Sequence, residues 1–193
     1  MFLLPAVLAG VLLGYALGGR LSRLADVRLR APWLFYVAIA LQLAAFPSLL
    51  MPLQAPERVA TVLSIASDAA LLAVFVLNLR LAGMPVAGAG MMLNMIAILA
   101  NGGHMPALPS AMRHAGLTYT GVHNNSIAEA SPRLAWLVDR WAAPRWEPFA
   151  NVFSVGDVLI AVGVLVLVAG AMGAWLPWRG RPAAVTPAGP PAA

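Results

Sequence analysis

Seven acidic residues and three histidines make up most of the acid–base repertoire of this 193-residue chain, which has no cysteine. Without a thiol there is no disulfide framework, no thiolate metal site and no cysteine nucleophile. Three of the titratable side chains stand where position makes them informative. Asp68 falls inside an apolar run, His104 sits in the box Asn101-Gly102-Gly103-His104-Met105-Pro106, and Asp157 closes the box Asn151-Val152-Phe153-Ser154-Val155-Gly156-Asp157.

Asp68 lies about ten residues into a span of roughly bilayer length, where burying a carboxylate costs about 2.5 to 3.5 kcal/mol even on a lenient insertion scale. It must face protein or water. Thr61, Ser64 and Asp68 are spaced for one helical face, which predicts hydrogen bonds within that helix and to Asn94 or Gln42. Two roles compete: a proton or cation site, or a protonated or paired packing residue, the second being the commoner.

Asn94 and Asn101 are seven apart, hence on one face, and lead into the glycine-rich box around His104. Two glycines permit positive φ and the proline fixes the chain, so His104 is expected at a defined place on a membrane boundary, as a ligand or proton-transfer group. The plainer alternative is a helix C-cap and turn.

Met105 and five other methionines cluster near His104 and His114, a mixture suited to Cu(I). Methionine also fills gaps between apolar helices, and the spacings match no metal motif, so no cofactor is expected. There is no H-E-x-x-H and no register among the histidines that would hold zinc. Ser154 and Asp157 have the S-x-x-D spacing of a helix N-cap, which accounts for much of the second box.

The elements that hold these residues follow from composition. With 61% hydrophobic and 10% charged residues and a mean hydropathy of +0.83, the chain is far from a soluble domain, which carries about 25% charge. Its apolar runs approach the roughly 20 residues that cross a bilayer. The expectation is an all-α polytopic bundle of about five transmembrane helices over 2–19, 32–51, 59–79, 85–101 and 155–178. One single domain, 1–178, would be followed by a disordered Pro/Ala tail, 179–193. Gly10, Gly14 and Gly18 form a small-xxx-small pattern for close helix packing.

All twelve basic residues are Arg, which together with abundant Ala, Gly and Pro fits a GC-rich bacterial genome. Arg20, Arg23, Arg28 and Arg30 crowd the first short loop, predicting an N-terminus outside and a C-terminus in the cytoplasm of a bacterial inner membrane. No basic stripe with interleaved aromatics suggests nucleic acid, despite a net charge of +5. Loop 102–154 then lies outside. Within it Ser131 and Pro132 open an expected amphipathic helix carrying Leu134, Leu137, Val138 and Trp141, with Arg133, Asp139 and Arg140 toward water or headgroups.

The two boxes, with the Trp136-Leu137-Val138-Asp139 segment between them, resemble an uncharacterised bacterial family of multi-spanning membrane proteins, classed as a domain of unknown function. The resemblance runs from Arg20 to Trp178 and implies no activity or site residue. The functional expectation is therefore a non-enzymatic membrane protein, either an accessory subunit or a small-solute or ion-handling component. Asp68, Asn94, Asn101, His104 and Asp157 are the candidate cavity residues. Its partners would be the lipid bilayer and another membrane protein or a second copy. The alternatives are an enzyme in which Asp68, His104 and Asp157 converge beneath a Trp136–Trp141 lid, and a copper site drawing on His104, Met105 and His114.

Overall fold

Apolar runs broken by Gly, Pro and Arg form helices, and the computed structural model places them as expected in kind. It describes residues 3–46, 55–117, 122–123, 125–143 and 152–175. Five apolar helices are α1 (Leu3–Ala16), α2 (Trp33–Ala45), α3 (Glu57–Leu77), α4 (Met84–Ala100) and α6 (Val155–Ala171). A 3-10 helix, Leu21–Asp26, follows α1, and a short α5 (Pro109–Ala115) lies between α4 and α6. Among the described residues α3, with 21 residues, is the one helix long and apolar enough to cross a membrane, while the other four apolar helices have 13 to 17 residues. The Pro/Ala tail lies outside the described residues, as do Asn151 and Trp178.

The five helices stand in the spatial order α2, α3, α4, α6, α1. Small side chains line the contacts. Ala6, Gly10 and Gly14 of α1 are buried, as are Ala38 of α2, Ser64 and Ser67 of α3, and Gly156 and Gly163 of α6. The bulky residues point outward, with Leu12 70%, Tyr36 75% and Val62 65% exposed. Small residues let the backbones approach until van der Waals packing and hydrogen bonds act, as where Ser67 Oγ donates to the Ala38 carbonyl at 2.9 Å. At Gly163 a methyl group would overlap the backbone nitrogen of Ala87, which fixes how closely α4 and α6 cross.

Gly10 and Gly14 pack on α6, against Leu165 and Met172 respectively, so α1 and α6 run in the same direction. Gly18, the third member of that stripe, has a different role. It follows the end of α1 at φ +78, with nothing within 4 Å of where a Cβ would stand. The amide of Gly18 donates to Tyr15 O at 3.0 Å and that of Gly19 to Gly14 O at 2.8 Å, the double bond of a left-handed helix stop. Gly19, one residue on, makes the close approach to Met172.

The two ends of the bundle are sorted. At one end Arg20 N donates to Met172 O at 2.8 Å. There the buried Asn78 side chain accepts from Arg30 N at 2.7 Å and donates to Arg30 O at 3.0 Å. The arginine-rich loop is thereby tied to the C-terminal ends of α3 and α6. At the other end the chain between α4 and α6 folds over the helix termini.

That connecting segment is not purely helical. β1 (Met105–Ala107), β2 (Val122–His123) and β3 (Ser126–Ala128) form a sheet of order β1-β3-β2, with β1 and β3 parallel. β4 (Trp141–Ala142) pairs antiparallel with β5 (Val152–Phe153). The amphipathic helix expected after Ser131 does not form, because its residues have stronger local partners. Asn101 accepts from Arg133 N at 2.8 Å and donates to Arg133 O at 2.9 Å, and Leu134 takes a positive φ of 54. Leu137, Val138 and Asp139 are then buried in succession, at 1%, 0% and 6% exposure, a pattern no one-faced helix produces.

Candidate functional site

Where the connecting segment meets the bundle, α6 begins with the capping box that Ser154 and Asp157 predict. Ser154 Oγ accepts from Asp157 N at 3.1 Å, and Asp157 Oδ2 accepts from Ser154 N at 2.9 Å. The box is joined from α4. Asn94 Nδ2 donates to Asp157 Oδ1 at 2.9 Å, and the Ser154 hydroxyl lies 2.9 Å from both Asn94 Oδ1 and Asp157 Oδ2, with one proton to share between them. Gly156 makes this possible, because a Cβ there would overlap the Asn94 amide oxygen.

Above this clasp opens a cavity of about 280 Å³. Its polar lining is Asn94, Asp139 and Asp157, and its apolar walls include Ile98, Met105, Phe153 and Ile160. Asp139 reaches it because its backbone is sewn to β1: Asp139 N donates to Pro106 O at 3.0 Å, and Leu108 N donates to Asp139 O at 2.9 Å. The side chain expected in water or among headgroups is buried instead. Among the described residues no donor meets its carboxylate. Burial first, and the Asp157 charge second, push the Asp139 carboxyl up to about 8.

The residues singled out from sequence fall into three places. Asn94 and Asp157 share the cavity, joined by Met105 from the metal candidates. Asn101 holds the Arg133 segment, donating also to Ala97 O at 2.8 Å. His104 turns the other way, onto α3, with Nε2 3.4 Å from Thr61 Oγ1 and 3.7 Å from Glu57 Oε1. Its Nδ1 is buried without a hydrogen-bond partner among the described residues.

Asp68 is half-buried on α3, and no hydrogen bond joins it to Gln42 or Asn94. It lies seven residues beyond Thr61, about 10 Å along the helix axis at 1.5 Å per residue. Asp68, His104 and Asp157 therefore do not share one site, and the cavity lining includes neither Asp68 nor His104. His114 Nδ1 lies 2.7 Å from Ser110 O within α5. Among the described residues no three of His, Cys, Asp or Glu gather as a metal group.

Asp139 is the cavity residue that sequence reasoning missed. Its signal was the run Leu137-Val138-Asp139, in which two apolar residues in succession mark a buried extended segment as readily as a helix face.

A row of small-residue-packed helices, capped by a loop that lowers a second carboxylate onto a helix N-terminus, defines a helical protein with a built polar cavity. The chain belongs to the Family of unknown function (DUF5317), whose match covers residues 26–169 and thus both the clasp and Asp139. Comparison with curated proteins and with solved structures finds no match.

Proposed function

We propose that this is a polytopic membrane protein with a small-solute site, formed where loop 102–154 closes over α4 and α6 on the outer side of a bacterial inner membrane. All five apolar helices would lie in the bilayer, N-terminus outside and C-terminus in the cytoplasm. The observation that carries the solute site is the meeting of Asp139, Asp157 and Asn94 on one otherwise apolar cavity of about 280 Å³. Ligand sites have this make-up, a few fixed polar groups on apolar walls, and their volumes begin at roughly 300 Å³.

Membrane embedding is supported by the inverted packing, small residues inside and Leu, Val, Ile and Tyr outside, which suits lipid better than water. The arginine cluster at the opposite end from the cavity supports the orientation. A non-enzymatic role, binding or handling a solute, fits better than acid–base catalysis by Asp68, His104 and Asp157, since Asp157 lines the cavity while Asp68 and His104 do not.

Single-cysteine variants of this cysteine-free chain test the topology. Glu129→Cys in spheroplasts is expected to react with a membrane-impermeant maleimide, and Arg23→Cys to react only after permeabilisation. The reverse pattern, or release of the chain by alkaline carbonate washing, would contradict the proposal.

A further inference from the structure

We infer that the cavity beneath Asp139 binds a small organic cation, a protonated amine with a short hydrocarbon body, its ammonium group on the Asp139 carboxylate and its chain along the apolar wall. This rests on the solute-site reading and specifies its ligand. Asp139 is 6% exposed, lines the cavity, and meets no hydrogen-bond donor among the described residues. Burial keeps this carboxyl protonated, and an ammonium group beside it would favour the ionised form, so the amine would bind with release of the Asp139 proton.

Asp157 cannot serve equally, because its two oxygens already face Ser154 N, Asn94 Nδ2 and the Ser154 hydroxyl. Among the described residues the lining supplies two acids and one amide and no arginine or histidine, a set that an occupant of positive charge complements. A divalent ion fits poorly: calcium takes about six to eight oxygen ligands, and one open carboxylate among Ile98, Met105 and Ile160 does not provide them. Phe153, also on the lining, offers an aromatic ring to an ammonium group, a favourable contact within about 6 Å. The volume limits the body to a few carbons.

The test uses the full-length chain in lipid nanodiscs, with thermal unfolding and calorimetry against n-butylammonium, 1-butanol, butanoate and calcium chloride. Saturable binding of n-butylammonium is expected, at least tenfold weaker in Asp139→Asn. Ala161 of α6 also lines the cavity, so Ala161→Leu provides a second variant that fills it without changing charge or touching the Asp139 segment and should weaken binding at least tenfold. Equal binding of 1-butanol or butanoate, unchanged in Asp139→Asn but lost in Ala161→Leu, would leave the solute site standing and overturn the cation assignment. Preference for calcium would overturn it too. Butylammonium binding that neither variant alters places the amine elsewhere and refutes the inference, and no binding by any of the four probes counts against both the inference and the solute site.

Discussion

Asn94 on α4 donates to the Asp157 carboxylate at 2.9 Å through space that Gly156 leaves empty. Helix packing, helix capping and the cavity floor are thus one construction. Gly156→Ala would place a methyl group onto the Asn94 amide oxygen and close to the Gly90 carbonyl oxygen. The expected outcome is a loss of about 1–3 kcal/mol, the usual cost of overpacking. Gly18→Ala meets no neighbour and suffers only its left-handed φ, so about 1 kcal/mol is expected. Chemical unfolding of both variants in the same detergent checks the order.

Ser154→Ala removes the side-chain half of the capping box and leaves the Asp157 amide without its acceptor. A loss of about 1 kcal/mol is expected. Ser154→Asp should retain an acceptor at the cap yet bring a second charge beside Asp157, so it should rescue stability at low pH and not at neutral pH. Thermal melts at the two pH values separate these effects.

Asp139 gives stability a definite pH dependence. Its carboxyl is raised in the folded protein from 3.8 to about 8, so its burial favours folding fully only below its unfolded value. As pH rises from about 4 to about 8 the folded state holds a proton that the unfolded chain has released, and stability falls by up to one proton's slope. Asp139→Asn should flatten that window. Among the described residues the charged group that bears on Asp139 is Asp157 on α6, since α1, α4 and β1 line the cavity with uncharged side chains. An unchanged slope in the variant would assign the titration elsewhere.

How far the sequence reaches is visible in these same residues. The helices were legible from hydropathy and the Ser154–Asp157 box from spacing, because both depend on neighbours within a turn or two. Asn94 was recognised as a cavity residue, but its expected partner was Asp68. The real partner comes from α6, 63 residues away, brought there by the α4–α6 crossing. Gly83, Gly90, Gly156 and Gly163 carried that information as two pairs seven apart, a weaker pattern than the Gly10, Gly14 and Gly18 stripe. The helix expected after Ser131 failed because Asn101 takes both backbone groups of Arg133, a contact 32 residues apart that no local propensity encodes.

Asn101→Ala should therefore loosen the segment that carries Asp139. Amide exchange at Leu137 and Asp139 is expected to speed up at least tenfold, with α3 and α6 unaffected. Uniform exchange across the chain, or none at these amides, would show that Asn101 does not hold the segment.

The most direct test of an outward-opening site is the reactivity of an Asp139→Cys variant toward thiol reagents applied to intact spheroplasts. The chain has no other thiol, so the signal is unambiguous. A small methanethiosulfonate carrying a trimethylammonium group should label it from outside, while a maleimide on a bulky polyethylene glycol should not until the protein unfolds. Labelling only from the cytoplasmic side, or none by the small reagent in the folded protein, would contradict an outward-opening cavity at Asp139.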